Sequence, residues 1–216
     1  HPYLLLKEKG LLKFRPIVPY SRHPLKLLFN MAARALRHLY RSMQPPSFTL
    51  DRADQLTDLL AQVSQKGYRS VEARLGDVKN MFTELPHDVI MEALDWLLGL
   101  CAEKGVDRVY IGPTKTGEVK SGKKPRGTGW HEMFLTTLRE IVKFDLENCL
   151  YVVGTEVLRQ KKGVPMGSPL SPPLAILICI FYEAEALEAR GPQEGMERLG
   201  VRWVDDLLML FGSHED

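Results

Sequence analysis

Two aspartates, Asp205 and Asp206, stand side by side between two runs of apolar β-formers. Val201-Arg202-Trp203-Val204 precede them and Leu207-Leu208-Met209-Leu210-Phe211 follow. Unpaired carboxylates are costly to bury, whereas apolar runs gain by leaving water. A hairpin reconciles the two: its strands enter a core and its tip carries both acids. Asp is also a frequent turn residue through hydrogen bonds to its own backbone. The pair alone therefore fits a plain turn as well as a functional tip.

A third acid lies far upstream. Val71, Ala73 and Leu75 alternate with Glu72 and Arg74, a strand pattern over 71–78, and Asp77 closes it. A carboxylate at the end of a central strand, beside a tip carrying Asp205, would offer hard oxygens to two Mg²⁺ ions. Such a pair, about 3.5–4 Å apart, serves phosphoryl transfer. Asp77 alone reads equally as a turn or cap. The loop Gly163-Val164-Pro165-Met166-Gly167-Ser168-Pro169-Leu170 adds a second pattern. Its glycines allow close backbone approach or positive φ, its prolines stiffen the path, and a helix follows. It suits a base pair or sugar lying over bare backbone, or simply a rigid loop.

Charge sharpens the picture. The 216 residues carry a net +2, but residues 1–42 hold nine Lys or Arg against Glu8, a net of +8. The rest is therefore −6. A second basic patch, 108–130, carries Arg108, Lys115, Lys120, Lys123, Lys124 and Arg126 against Glu118. Such segregation fits a polyanion-binding protein with an acidic centre, or a set of solvated faces. The greasiest run, Leu174 to Phe181, is far short of the roughly 20 residues of a membrane span. No membrane partner is expected. Cys101, Cys149 and Cys179 match no zinc spacing and cannot all pair, and Cys179 reads as a core residue. We expect an intracellular, reducing compartment, with nucleus and cytoplasm not distinguished. The chain opens on His1 and reads as cut from something longer.

The elements expected are a hairpin of Tyr3-Leu6 and Leu11-Val18, then a helix from Pro24 to about Met43. A helix capped by Asp51 and ended by Gly67 follows, then a strand over 71–78 and a helix from Asp88 to Glu103. Next come a strand at Val106-Ile111, a loop over 112–129 and a helix from His131 to Glu147. A hairpin over 150–160, a helix from Leu170 to Arg190 and the Asp205-Asp206 hairpin complete the chain. Helix and strand mix without a βαβ rhythm, so the fold class is α+β.

Taken together and in order, these residues resemble the reverse transcriptase family. Lys13-Phe14-Arg15-Pro16-Ile17-Val18 is similar to the fingers motif, and Asp77-Val78-Lys79-Asn80-Met81-Phe82 to the first palm motif. Pro165-Met166-Gly167-Ser168-Pro169-Leu170-Ser171-Pro172 resembles the template-primer loop, and Trp203-Val204-Asp205-Asp206 the aromatic-x-Asp-Asp box. Within the family, Met81-Phe82-Thr83-Glu84-Leu85-Pro86 and the Gln160-x-x-Gly163 spacing before Pro165-Met166-Gly167 look most like Penelope-like retroelements, with non-LTR elements next.

The resemblance implies a right-hand fold of fingers and palm with the thumb missing, which should grip a duplex poorly. It divides the chain into part of the fingers (1–70), a palm segment with the first motif (71–111), an insertion (112–160) and a second palm segment (161–216). The implied activity is an RNA-directed DNA polymerase of a transposable element that joins dNTPs to a DNA or RNA primer on an RNA template. Asp77, Asp205 and, in a lesser role, Asp206 would be catalytic. With Val78 they would hold two Mg²⁺, for which Mn²⁺ could substitute. Lys13, Arg15, Phe82, Gln160 and Gly163 would bind the nucleotide, and Pro165, Met166, Gly167, Ser168 and Pro169 the template-primer. Phe82 matches the steric gate that excludes a ribose 2′-OH, where RNA-directed RNA polymerases place an Asp. Trp203 departs from the commoner Tyr or Phe, and Lys162 stands where many members have Gln. A palm-fold relic that binds RNA or protein without catalysis, and an RNA-directed RNA polymerase, are the rival readings.

Overall fold

The computed structural model of the chain describes residues 3–6, 14–113, 117–153, 155–189 and 196–213. Strands β1 (Tyr3–Leu6) and β2 (Phe14–Ile17) form an antiparallel pair with Leu5 opposite Arg15. Lys13 and the turn at 7–10 lie outside the described residues. Helix α1 (Lys26–Met43) buries Phe29, Ala32, Leu36, Leu39 and Met43 along one stripe. It ends where Gln44 turns left-handed (φ 51) and donates its N–H to the Tyr40 carbonyl at 3.2 Å. Helix α2 (Asp54–Gln65) starts at Ala53, not at Asp51. The Gln55 side-chain oxygen accepts from the amides of Asp51 and Arg52 (2.8 and 3.0 Å), which holds the chain just ahead of the helix, while the first-turn amides of Gln55 and Leu56 bond the carbonyls of Arg52 and Ala53. Gly67, at φ +64, follows the helix end.

Strand β3 (Ser70–Asp77) and helix α3 (His87–Glu103) fall where the sequence patterns put them. Next come β4 (Arg108–Ile111), β5 (Val119–Ser121), β6 (His131–Phe134) and α4 (Leu135–Glu147). The helix expected from His131 therefore begins four residues late. His131 to Phe134 pairs antiparallel with β4, setting Met133 opposite Val109, and both side chains are buried. Strand β5, expected as loop, occupies the other edge of β4. Strands β7 (Leu150–Val153) and β8 (Glu156–Arg159) form a hairpin, with Gly154 outside the described residues. Helix α5 (Ser171–Ala189) follows, then β9 (Met196–Trp203) and β10 (Asp206–Ser213).

The result is an α+β fold. Among the described residues, five helices accompany four separate sheets, all antiparallel. No described helix is long and apolar enough to cross a membrane.

The chain forms two compact units, each built from two separate stretches, so the units interleave in sequence. The first unit comprises His1–Gln44 and Phe82–Ile178. Helices α1, α3 and α4 pack on one another there, and α1 also packs on β4 and β5. Leu36, Leu39, Ile90, Leu94, Leu97, Ile111, Leu138 and Leu146 are fully buried. Each contributes about 1.5–3 kcal/mol by leaving water. The second unit comprises Pro45–Met81 and Cys179–Asp216. Its sheet has the order β3-β10-β9.

Strand β3 is exposed along its whole length, Leu75 at 86%, although its alternation suggested a buried face. It is an edge strand, and apolar alternation reports a preferred face, not whether anything covers it. All three cysteines are free thiols. Cys179 is partly buried and its thiol is raised by burial too, as burial pushes the thiols of Cys101 and Cys149 up to about 11.

Candidate active site

The three predicted acids meet at one end of the second unit's sheet. Strand β10 runs antiparallel to both neighbours, and its first residue, Asp206, lies opposite Asp77 on one side and Trp203 on the other. Directly opposite residues of an antiparallel ladder project to the same face about 4.5–5.5 Å apart. Asp77 and Asp206 therefore share a face at the sheet end. Asp205 sits in the two-residue turn, and its carbonyl accepts the Val78 N–H at 2.9 Å. This bond ties the segment after β3 to the tip, the convergence that sequence spacing alone could not establish.

The turn is unusual. Of its two central residues only Val204 has positive φ, at 59°. Positive φ at the first central position alone marks a type II′ hairpin turn, which favours glycine there. A β-branched residue in that region is strained by about 1–3 kcal/mol unless its surroundings hold it.

Among the described residues, no three His, Cys, Asp or Glu side chains already converge as a metal cage. For Mg²⁺ this is no contradiction. That ion is usually held by one or two carboxylates, with waters and substrate phosphates completing the shell. A pair of hard-oxygen donors on one face, with a third at the adjoining turn, fits that habit.

The predicted loop residues gather in the first unit. Gly163 donates its N–H to the Leu85 carbonyl (2.6 Å), Val164 donates to the Phe82 carbonyl (2.8 Å), and the His87 ring bonds the Gly163 carbonyl (3.0 Å). A Cβ on Gly163 would stand 2.6 Å from the Phe82 oxygen, so only glycine allows this approach. Further along, Val18 donates to the Met166 carbonyl (2.8 Å), and a Cβ on Gly167 would meet the Val18 oxygen at 2.0 Å. The loop is thus laced to the segment after the fingers-like motif and to the half-buried Phe82. Pro165 is buried and Pro169 partly so.

Gln160, predicted to contact the nucleotide, folds back on its own loop: its amide donates to the Lys162 carbonyl at 2.9 Å. Lys162, whose place usually holds Gln, ion-pairs with Glu84. Arg15 is placed in β2, and Lys13 is not among the described residues.

Two buried polar clusters were not foreseen. In the first unit Asp145, 2% exposed, accepts from Tyr20 Oη (2.8 Å) and from Ser168 Oγ (2.6 Å), anchoring the loop from below. Burial raises the Asp145 carboxyl above its usual range, and the two hydroxyls pull it back. Burial, then the Asp145 charge, holds the Tyr20 phenol far above its usual value. In the second unit Arg202 is 1% exposed and bonds Glu183, Thr49 and the Val204 carbonyl. The available signal was an arginine within the run Val201-Arg202-Trp203-Val204, beside the acids.

The two basic segments of the sequence also meet. Arg34, Arg37, His38, Arg41 and Ser42 of α1 line a groove of about 580 Å³ with Gly117 and Val119. Arg34 Nη2 donates to the carbonyls of Gly112 (3.1 Å) and Gly117 (2.6 Å), and His38 bonds Ser121 Oγ (2.9 Å). Burial lowers the His38 pKa, partly offset by the Glu118 carboxylate.

No model of a known protein family matches the chain, and no curated protein does. Solved structures do, and the class they indicate is a reverse-transcriptase-like fold. The particular structures are telomerases. Apo telomerase from Candida tropicalis matches with a TM-score of 0.65 at 14% identity, over 97% of this chain and 38% of that one. A form of the same enzyme truncated from its C-terminal domain gives 0.66 at 15%, over 100% and 43%. Telomerase from Candida albicans, in complex with a fragment of telomeric RNA, gives 0.63 at 15%, over 97% and 37%. At such identities the likeness is one of fold, and the chain spans less than half the length of each of these proteins.

Proposed function

We propose that this chain is the fingers and palm portion of an RNA-directed DNA polymerase of a retroelement, Penelope-like or non-LTR in type. The observation that carries the proposal is the register that sets Asp77 opposite Asp206 while the Asp205 carbonyl holds the Val78 N–H. The reverse-transcriptase-like fold supports it.

In this reading Asp77, Asp205 and the Val78 carbonyl hold Mg²⁺, with Asp206 beside them. Bound there, Mg²⁺ would neutralise triphosphate charge and acidify the primer hydroxyl. The primer 3′-oxygen attacks the α-phosphorus of a dNTP in line. The bond to the β-phosphate oxygen breaks, and pyrophosphate leaves with its electrons. The protein's part is positioning and charge stabilisation. The glycine loop presents bare backbone to the template-primer, and Phe82, pinned through its carbonyl by Val164, blocks a 2′-hydroxyl.

Extension of a primer on an RNA template by the full-length protein, given dNTPs or rNTPs, tests the reading. We expect dNTP incorporation alone. Phe82→Ala should relax sugar selectivity by about 10-fold or more, the scale of one small group in a fitted pocket. Unchanged selectivity removes the gate.

The α1 groove is assigned to the nucleic-acid backbone. Arg37→Glu should weaken RNA binding several-fold near 0.15 M salt and flatten the log–log salt dependence by about one unit, the share of a single phosphate contact. Filter binding across salt concentrations reads both, and an unchanged slope removes the assignment.

A further inference from the structure

Among the described residues Arg202 is the largest fully buried side chain, an odd place for a permanent cation. Its burial is fully compensated. Nε donates to Glu183 Oε1 at 2.5 Å and Nη2 to Glu183 Oε2 at 3.1 Å, a two-point grip by one carboxylate. Nη2 also reaches Thr49 Oγ1 at 2.5 Å. Glu183, 13% exposed, accepts in addition from the Phe48 N–H at 3.1 Å. The backbone joins in: Arg202 donates its N–H to the Phe48 carbonyl at 2.5 Å, and its carbonyl accepts from Leu50 at 2.9 Å. All these groups belong to the second unit.

The remaining contact has a different character. Arg202 Nη1 donates to the Val204 carbonyl at 2.7 Å. That carbonyl belongs to the peptide joining Val204 to Asp205, and a peptide is planar. Fixing its oxygen fixes the plane from which the Asp205 Cα departs. Val204 is also the residue strained at φ 59. Strain of this kind persists only where neighbours over-determine the backbone.

We infer that the buried Arg202–Glu183 pair is a positioning device: it holds the Val204–Asp205 peptide in its strained orientation and so aims the Asp205 carboxylate. Arg202 is a positioning residue, acting through the turn. The inference rests on the proposed metal-binding role of Asp205 and deepens it. Lysine cannot replace the fork, because an ammonium supplies a point charge without the planar spread of donors that reaches Glu183, Thr49 and Val204 together.

The test is Arg202→Lys in the full-length protein, with single-nucleotide incorporation measured against Mg²⁺ and dNTP concentrations. An aim error of about 1 Å is worth on the order of 100-fold in rate. We expect kcat to fall by about 10–100-fold and the dNTP KM to change little. The Mg²⁺ concentration for half-maximal rate should rise several-fold, and so should the Mg²⁺ dissociation constant read by isothermal titration calorimetry in the absence of nucleotide. Val204→Gly, added to Arg202→Lys, lets the turn reach positive φ without help and should recover most of the loss.

A loss that is equal at every Mg²⁺ concentration and untouched by Val204→Gly overturns the inference. If Arg202→Lys does not fold, Glu183→Gln carries the same readouts with smaller shifts, and wild-type Mg²⁺ dependence in that variant overturns it equally. A wild-type protein that incorporates no nucleotide overturns instead the polymerase reading beneath it.

Discussion

Replacing Gly167 with alanine is expected to lower stability by about 3–5 kcal/mol, a large share of the 5–15 kcal/mol typical of a domain. Gly167 has φ +135, a region that L side chains rarely adopt. Its added methyl would stand 2.0 Å from the Val18 oxygen and 3.0 Å from the Val18 carbonyl carbon. Both are backbone atoms, so no side chain can swing away. Relief requires the loop and the chain at Val18 to separate, which breaks the bond from the Val18 N–H to the Met166 carbonyl. Separation also pulls on Ser168, whose hydroxyl is bonded to the buried Asp145. Gly99 provides the contrast. It lies in α3 with nothing within 4 Å of a built Cβ, so Gly99→Ala should stabilise by about 0.5–1 kcal/mol through better helix propensity. Urea unfolding of both variants reads the opposite signs, and a mild Gly167→Ala would mean that the loop does not press against the chain at Val18.

Asp205→Asn is expected to leave folding intact and to reduce nucleotidyl transfer by about 10³-fold or more. The contact that secures this residue is made by its backbone, from the Val78 N–H to its carbonyl, and survives the substitution. Only a charged oxygen is exchanged for a neutral amide. If that oxygen holds a metal ion, several kcal/mol of transition-state stabilisation leave with it, and each 1.36 kcal/mol is tenfold in rate. Asp77→Asn should cost a similar factor. The double variant should be little worse than either single one, because ligands of one site act as a unit. Asp206→Asn should cost less. Single-turnover incorporation alongside thermal unfolding separates the effects. A variant that keeps its rate, or one that simply unfolds, contradicts the role.

How far the molecule was legible in its sequence varies from element to element. The Asp205-Asp206 hairpin was readable because polar residues between apolar strands leave few arrangements. Its partner strand was readable from alternation, yet the exposure of β3 was not, since alternation does not say whether another layer covers a strand's face. His131 to Phe134 looked helical because Phe134, four residues before Leu138, continues the apolar stripe of Leu138 and Ile141. Only the demand of β4 for a second neighbour makes it a strand, and that demand is tertiary. The Asp51 cap failed for a local reason: the helix starts two residues later, at Ala53, and its first-turn amides bond the backbone carbonyls of Arg52 and Ala53.

Within the site, the three acids were legible as chemistry but their meeting was not, because it rests on register between residues more than 100 positions apart. Arg202 and Glu183 were passed over for the opposite cause. A buried ion pair shows in sequence as two ordinary charges, and only burial tells them from solvated ones. Asp145 and Tyr20 escaped notice in the same way.

We propose that the paired strand ends form a metal-dependent nucleotidyl-transfer site. Single-nucleotide incorporation by the full-length protein, on a primed RNA template, followed as Mg²⁺ is raised from a chelated baseline, tests it most directly. We expect no incorporation under chelation, a rate that rises with Mg²⁺ to saturation, and addition of only the template-matched dNTP. Tight RNA binding with no incorporation at any concentration of Mg²⁺ or Mn²⁺ would contradict it.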